Sequence, residues 1–156
     1  FQRTINTNDL ILSIEEWELK EQDSELKKKL LIVDDDHVFL RSARSWLDDA
    51  YRVTIVNSGM NAITYMANHK PDLMLLDYEM PIADGKQILS MIRSDENIGD
   101  VPVIFLTGKD DKKSVMNVLP LNSEGYLLKT LSPSRIRFTI DRFFAERERK
   151  NLDFGY

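Results

Sequence analysis

Four short apolar runs, each ending in a polar residue, constrain the fold of this chain more than any other feature. The runs end at Asp34-Asp35, Asp77, Thr107 and Lys129, and each has the length of a β-strand. If the strands are parallel, their carboxyl ends lie together on one edge of a sheet, where open α/β proteins place their sites. That edge would hold three carboxylates, one hydroxyl and one ammonium. Such a set of groups suits a divalent cation and a transferable phosphoryl group.

Helical patterns alternate with these strands along the chain. The predicted strands are 30–33, 52–56, 72–76, 103–106 and 126–128. A helix is expected after each strand, including a weaker one at 110–119 and a last one that begins after Ser132-Pro133. Alternation with short loops implies a parallel sheet covered by helices on both faces, with right-handed crossovers.

Three- and four-residue spacing of apolar side chains predicts the buried faces of two helices. In the helix after the first strand these residues are Phe39, Ala43, Trp46, Leu47 and Ala50. In the last helix they are Ile136, Ile140, Phe143 and Phe144. Ser58 is predicted to cap the second helix, which is expected to end near His69. We interpret His37 and His69 as structural or solvated residues.

Residues 1–29 differ from the rest because they are polar, charged and free of Gly and Pro. Apolar residues recur there every seven positions, which is half of a coiled-coil seam: Ile5, Leu12, Leu19 and Leu26. The stretch is either a solvated helical linker or a signalling helix that pairs with another copy or with an upstream domain. We therefore predict three parts: this N-terminal stretch at 1–29, one α/β domain at 30–147 and a C-terminal tail at 148–156.

The composition excludes several classes of protein. A chain of 156 residues with 42% apolar residues fits one domain with an ordinary core. Its net charge of −5 argues against a sequence-independent nucleic-acid binder. Because it has no cysteine, no disulfide or thiol chemistry is available, which is compatible with a reducing cytosol. No apolar run approaches the roughly 18 residues of a membrane span, so we expect a cytoplasmic segment without membrane contact.

The acids at the strand ends indicate metal and phosphoryl chemistry. Asp34 and Asp35 are adjacent, and two such charges about 4 Å apart repel each other by about 4 kcal/mol at an effective dielectric near 20. A bound cation relieves that repulsion, and Mg²⁺ prefers oxygen ligands. Asp36 is expected to be an exposed acid or a helix cap. A carboxylate such as Asp77, at the end of a buried strand and beside a cation, can attack a phosphoryl group to form an acyl phosphate.

Taken together, these motifs resemble the receiver domain of bacterial response regulators over residues 30 to about 145. The matching pieces are Ile-Val-Asp34-Asp35-Asp36, Leu-Leu-Asp77-Tyr-Glu-Met-Pro, Asp84-Gly85, Phe-Leu-Thr107-Gly and Gly-Tyr-Leu-Leu-Lys129. The resemblance implies a flavodoxin-like, doubly wound sheet of five parallel strands in the order 2-1-3-4-5 with five helices. The N-terminal stretch would be a helical extension of that receiver domain.

The resemblance also implies a role for each site residue. Asp77 would be the phosphoacceptor, and Thr107 and Lys129 would contact the phosphoryl oxygens. The ligands of Mg²⁺ would be Asp34 (mainly through bound water), Asp35, Asp77 and the backbone carbonyl of Glu79. Tyr126 matches the aromatic residue that changes rotamer when such a domain switches, with Thr107 coupling it to the phosphoryl group.

The function implied is a phosphorylation-dependent switch of a two-component phosphorelay. The phosphoryl donor would be a histidine kinase or a histidine phosphotransfer protein, and the domain would catalyse only its own phosphoryl uptake and loss. A homodimer through the receiver face or the N-terminal helix is possible, and no nucleic-acid contact is expected within this segment. No output domain fits after the last helix, so we expect a stand-alone receiver or the receiver segment of a larger protein.

Some features depart from the usual family pattern, and other functions have to be weighed. Thr130 follows Lys129 where the family usually has proline, and Glu79 and Lys109 occupy positions that tune phosphoryl loss. A pseudo-receiver that only binds other proteins would normally lack one of the acids or the lysine. A haloacid-dehalogenase phosphatase would need an Asp where Glu79 stands, and a flavodoxin would need a Ser/Thr-rich loop where three acids stand.

Overall fold

The computed structural model describes residues 14–16, 26–108 and 123–154. The strands are β1 (Lys29–Val33), β2 (Arg52–Val56), β3 (Leu73–Asp77), β4 (Val103–Thr107) and β5 (Gly125–Leu128). The helices are α1 (His37–Leu47), α2 (Gly59–Met66), α3 (Gly85–Arg93) and, last in the chain, α4 (Pro133–Phe154). The predicted helix at 110–119 lies outside the described residues, as does most of the N-terminal stretch, of which residues 14–16 are helical.

The five strands form one parallel sheet in the order β2-β1-β3-β4-β5. This order confirms the predicted flavodoxin-like, doubly wound fold. Strands β3 and β4 each end one residue later than predicted, because Asp77 pairs with Leu106 and Thr107 with Leu128 in the ladder. Asp77 and Thr107 are therefore the last residues of their strands, and the sheet itself holds their backbones.

Each face of the sheet carries its own hydrophobic core. Strand residues alternate between the faces, so Leu30 and Ile32 of β1 pack toward α1 and α4, whereas Leu31 and Val33 pack toward α2 and α3. All five residues of β3 and of β4 are buried. Burial on both faces explains why these strands read as continuous apolar runs rather than as alternating ones.

Three side-chain caps determine where the helices begin near the carboxyl edge of the sheet. Asp36 caps α1 by accepting hydrogen bonds from the backbone amides of Val38 (3.0 Å) and Phe39 (3.2 Å). Ser58 caps α2, as predicted, and Asp84 caps α3 in a reciprocal capping box with Gln87. Helix α2 ends at Met66, three residues before His69. Because the caps hold the strand-to-helix turns, they also position the acids beside those turns.

The last helix has the buried face that its sequence predicts. Ile136, Ile140 and Phe144 are buried, and Phe143 packs against the same core while partly exposed. The helix continues to Phe154, beyond residue 147, where we placed the end of the domain; the boundaries at 29 and 147 stay predictions. No helix in the described ranges is both long enough and apolar enough to cross a membrane.

Gly85 is expected to be intolerant of even one added methyl group. A Cβ atom there would lie 2.8 Å from the carbonyl oxygen of Asp77, 2.8 Å from Phe105 Cε1 and 2.9 Å from Tyr78 Cα. Two of these atoms belong to backbone, so α3 would have to move away from the end of β3. Gly85→Ala should lower the free energy of unfolding by about 1–3 kcal/mol, measured by urea denaturation. Gly108→Ala is the control, because no described atom outside its chain neighbours lies within 4 Å of that Cβ; equal losses would contradict the prediction.

Candidate functional site

Three buried polar side chains stand at the carboxyl edge of the central strands. Asp34, Asp77 and Thr107 are 0%, 4% and 3% exposed, and they are the buried polar or charged residues found in the described part of the chain. The register explains why they meet: Val33 pairs with Leu76, so Asp34 follows β1 at the level at which Asp77 ends β3. Thr107 ends the neighbouring strand β4. Parallel pairing thus gathers groups that are far apart in the sequence.

Asp35 completes a cluster of three acids with Asp34 and Asp77. One carboxylate oxygen from each lies within 4.8 Å of the others, with Asp35 exposed and the other two buried. Oxygen ligands from two or three carboxylates, with the remaining positions left for water, suit Mg²⁺. Asp34 Oδ2 is fully buried, so water does not screen its charge. The acids therefore fit a divalent cation, because a cation would reduce the repulsion between their carboxylates.

The ammonium of Lys129 is the counter-charge within this cluster. Its Nζ lies 2.6 Å from Asp34 Oδ2, with the lysine side chain 18% exposed. Asp34 Oδ1 accepts a hydrogen bond from the Asp36 amide at 2.9 Å. The backbone amide of Lys129 donates to the carbonyl of Thr107 at 2.9 Å, which ties this residue to the end of β4. Within the described residues, the Lys129 ammonium thus contacts one of the two buried acids.

Burial and the neighbouring charges shift the pKa of Asp77 and of Lys129. Burial and the neighbouring charge of Asp34 raise the pKa of Asp77 to about 8, against the opposing effects of Lys129 and of the Glu79 amide. Burial by itself lowers the pKa of Lys129, but the hydrogen bond and charge of Asp34 outweigh burial, so that pKa is raised. Without a cation the cluster therefore holds protons tightly, and a bound cation would displace them.

Two further residues predicted for the site are Glu79, which follows the end of β3, and Tyr126, which lies within β5. The Glu79 amide donates to Asp77 Oδ1 at 3.3 Å, so its backbone adjoins the site, and the role of its carbonyl stays a prediction. Tyr126 pairs with Phe105 in the ladder and is 40% exposed. Its exposure leaves room for a rotamer change, which also stays a prediction.

Two residues near this edge of the sheet had no role at the site in the sequence analysis. Phe39, predicted as part of the core, also lies beneath Lys129, with Nζ 4.8 Å from the centre of its ring. Ile82, in the loop after β3, is fully exposed and has a positive φ of 72°, which is uncommon for a β-branched residue. A sequence signal for Phe39 existed, since it lies in the first turn after the acids. Nothing in the sequence indicated the conformation of Ile82.

Every described peptide bond is trans, including the bond between Lys129 and Thr130. The substitution of threonine for the usual proline is therefore accommodated without a cis bond.

His37 is exposed at the start of α1. The exposed His69 stacks on Tyr65, and its Nδ1 lies 3.2 Å from the Tyr65 carbonyl oxygen. Neither histidine belongs to the acid cluster within the described residues.

Comparisons with known proteins agree with this geometry. The family model of the response regulator receiver domain matches residues 30–141. The response regulator MprA of Mycobacterium sp. (strain KMS) is 32% identical over 128 residues, which are 81% of this chain and 54% of MprA. The sensor histidine kinase TmoS of Ectopseudomonas mendocina is 26% identical over 147 residues, 92% of this chain but 15% of the kinase. The chain thus spans about half the length of one relative and a small part of the other.

Solved structures show the same fold. A CheY-like response regulator receiver domain from Methanospirillum hungatei JF-1 superposes with a TM-score of 0.71 at 24% identity, covering 80% of this chain and 98% of that one. The family match spans all four strand ends that carry the acids, the hydroxyl and the lysine. The chain therefore belongs to the response regulator receiver family of two-component signalling.

Proposed function

We propose that this receiver domain accepts a phosphoryl group on Asp77 from a phosphohistidine donor, with Mg²⁺, and acts as a phosphorylation-dependent switch. The observation that carries the proposal is the buried Asp77 carboxylate, which shares a cluster 4.8 Å across with Asp34 and Asp35 while Lys129 contacts Asp34. Receiver domains of response regulators interact with histidine kinases, so the donor is a histidine kinase or a histidine phosphotransfer protein.

The residues that would hold Mg²⁺ are Asp34, Asp35 and Asp77, with the backbone carbonyl of Glu79 as a further ligand. The ion would neutralise charge on the carboxylates and on the phosphoryl oxygens, which otherwise repel each other. Asp34 is held by the Asp36 amide and by Lys129. We assign it mainly water-mediated coordination, whereas Asp35 is the exposed member of the cluster.

In the transfer step, a carboxylate oxygen of Asp77 forms the new P–O bond. The P–N bond of the phosphohistidine breaks, and its electron pair leaves with the donor imidazole. The product is a mixed anhydride. Lys129 contacts an oxygen of the incoming phosphoryl group and exchanges part of its contact with Asp34 for it, which offsets the added negative charge. The domain therefore catalyses only its own phosphoryl uptake and, later, its loss.

The signalling step follows from the charge that phosphorylation adds. A phosphoryl group brings about −1.5 to −2 charge and three strong acceptor oxygens. Thr107, buried at the end of β4, donates its hydroxyl to one of these oxygens, and this movement opens space that Tyr126 enters by changing rotamer. Differential contacts of this kind are what a two-state shift requires.

Thr107→Ala should separate phosphoryl chemistry from signalling. The variant should still take up phosphoryl at Asp77, because it keeps the nucleophile and the metal ligands. It should lose most of the conformational response at Tyr126, because no hydroxyl remains to be drawn toward the phosphoryl oxygens. NMR spectra with and without beryllofluoride, a phosphoryl mimic, measure that response. Thr107→Ser is the control, since it keeps the hydroxyl; a complete response in Thr107→Ala would mean that the coupling runs elsewhere.

A pseudo-receiver that acts only by binding other proteins is the second candidate. The cluster argues against it, because burying Asp34 and Asp77 together is unfavourable and a protein that never binds a cation or a phosphoryl group would gain nothing from it. The proposal includes a homodimer contact through the receiver surface or the N-terminal stretch. It also includes a cytoplasmic location and no contact with nucleic acid within this segment.

The proposed function is tested with acetyl phosphate, a small phosphodonor. With Mg²⁺ present, intact mass spectrometry should show one added phosphoryl group that is lost in base, as expected of an acyl phosphate. The same incubation in EDTA should show little or none. A base-stable adduct, or uptake that is equal in EDTA, would contradict the assignment, and no uptake with any phosphodonor would favour the pseudo-receiver.

A further inference from the structure

The side chain of Lys129 touches an aromatic face as well as a carboxylate. Its Nζ lies 4.8 Å from the centre of the Phe39 ring, within the roughly 6 Å range of a cation–π interaction. The same atom is 2.6 Å from Asp34 Oδ2. Phe39 stands in the first turn of α1 and Lys129 directly follows β5. This contact therefore links two elements that lie far apart in the sequence of the domain.

The Phe39 ring is itself held in place. Its backbone amide donates to the capping carboxylate of Asp36 at 3.2 Å, so the cap of α1 determines where this residue begins the helix. The ring is buried, and the ring of Trp46, two turns along α1, packs against it edge to face with centroids 6.2 Å apart. A ring restrained at both its backbone and its edge is a rigid surface on which a flexible side chain can rest.

For Lys129, by contrast, the strand ends fix the position of the backbone but not that of the side chain. The amide is bonded to the Thr107 carbonyl, but the ammonium is carried on four methylene groups with several rotatable bonds. A carboxylate alone would hold the ammonium and also compete with the phosphoryl oxygens for it. An aromatic face attracts the cation without offering a full negative charge, so it restrains the ammonium and leaves it available to an incoming anion.

From this arrangement we infer that Phe39 is a positioning residue, whose ring keeps the Lys129 ammonium at the phosphoryl site during transfer to Asp77. The inference rests on the proposed function, because it assigns Phe39 a part in that reaction. This role is additional to the packing of Phe39 in the hydrophobic core. If the Lys129 side chain is already restricted before the phosphoryl group arrives, it loses less conformational entropy when the transition state forms.

The kinetic test compares two substitutions at this position. Phe39→Leu keeps an apolar side chain but removes the ring, and it should slow phosphoryl uptake from acetyl phosphate in Mg²⁺ by about five- to tenfold. Phe39→Tyr keeps the ring and should restore most of the rate. Phe143→Leu is the matched control, because Phe143 packs on the same core from α4 and the centre of its ring lies 5.9 Å from the guanidinium carbon of Arg147, not from Lys129 Nζ. The control should leave the rate unchanged.

A double-substitution cycle shows whether Phe39 acts through Lys129. In a Lys129→Met background, Phe39→Leu should have almost no further effect on the rate, since no cation remains to be positioned. Urea denaturation of each variant checks that the proteins are folded at the assay temperature. The inference is overturned if Phe39→Leu and Phe39→Tyr give equal rates, or if Phe39→Leu slows both backgrounds by the same factor.

NMR of the resting protein tests the contact without any phosphoryl chemistry. The Lys129 protons next to Nζ should be shifted by the aromatic ring, should return to ordinary lysine values in Phe39→Leu, and should remain shifted in Phe39→Tyr. Unshifted protons in the wild type would overturn the inference even if transfer to Asp77 occurs. Shifted protons without any phosphoryl uptake would instead contradict the proposed function, so the two failures are distinguishable.

Discussion

Asp77→Asn should abolish phosphoryl uptake while making the resting domain more stable at neutral pH. Uptake is lost because the amide is not a nucleophile toward phosphorus. Stability rises because the buried Asp77, whose pKa burial and Asp34 raise to about 8, has to take up a proton when the chain folds at neutral pH. Asparagine needs no such proton and leaves the contact between Asp34 and Lys129 in place. The two opposite effects together exclude unfolding as the reason for lost activity.

The stability gain should depend on pH with a definite sign. Burial and the Asp34 charge raise the pKa of Asp77 in the folded protein to about 8 from an ordinary 3.8. The folded state therefore binds this proton more tightly than the unfolded chain does, and the wild type loses stability as pH rises between these two values. Asn carries no such proton. The advantage of Asp77→Asn should be small near pH 4 and reach about 1–4 kcal/mol near pH 8.

Urea denaturation in EDTA at several pH values measures this difference, and intact mass after acetyl phosphate measures uptake. Added Mg²⁺ should stabilise the wild type more than Asp77→Asn, because the variant lacks one carboxylate ligand. Asp84→Asn serves as the control, since Asp84 is an exposed cap outside the acid cluster. A phosphoryl group still added to Asp77→Asn would place the acceptor elsewhere, and a loss of stability across the whole pH range would contradict the charge argument.

Lys129→Met should cost about 2–4 kcal/mol of unfolding free energy in EDTA, because it removes the ammonium that contacts the buried carboxylate of Asp34. Methionine keeps the apolar length of the side chain, so the loss reports mainly the charge. Mg²⁺ should restore part of the loss by serving as the counter-ion. Combining Lys129→Met with Asp77→Asn should also recover stability, since a second acid is then no longer buried beside Asp34.

Lys70→Met is the matched control for the effect of burial. Lys70 Nζ pairs with Asp100 Oδ1 at 2.8 Å, close to the 2.6 Å of the Lys129 pair, but these side chains are 52% and 76% exposed. Exposed pairs contribute about 0–1 kcal/mol. Urea denaturation of both variants in EDTA compares the two sites directly. Equal losses, or no response of Lys129→Met to Mg²⁺, would mean that the site is less charged or more solvated than its geometry indicates.

Much of the fold was predictable because its signals are local. Strand length, the apolar runs of β3 and β4, and the caps at Ser58 and Ser132-Pro133 each depend on a few neighbouring residues. The sequence alone therefore identified the order of the described elements, and a polar residue at the end of each strand run predicted which side chains gather at the edge of the sheet. Small errors at strand ends arose because inter-strand pairing, rather than local composition, decides whether Asp77 and Thr107 belong to their strands.

The sequence by itself determined which groups gather at one edge of the sheet: Asp34, Asp35, Asp77, Thr107 and Lys129 all follow from parallel strands ending in polar residues. Only the tertiary structure decided how they are paired. The tertiary packing brings Lys129 to Asp34 and places its ammonium over Phe39 of α1. It also buries Asp77 beside Asp34, which raises the pKa of Asp77. Such contacts join residues distant in the chain, and their charges act according to burial, which no local pattern of residues encodes.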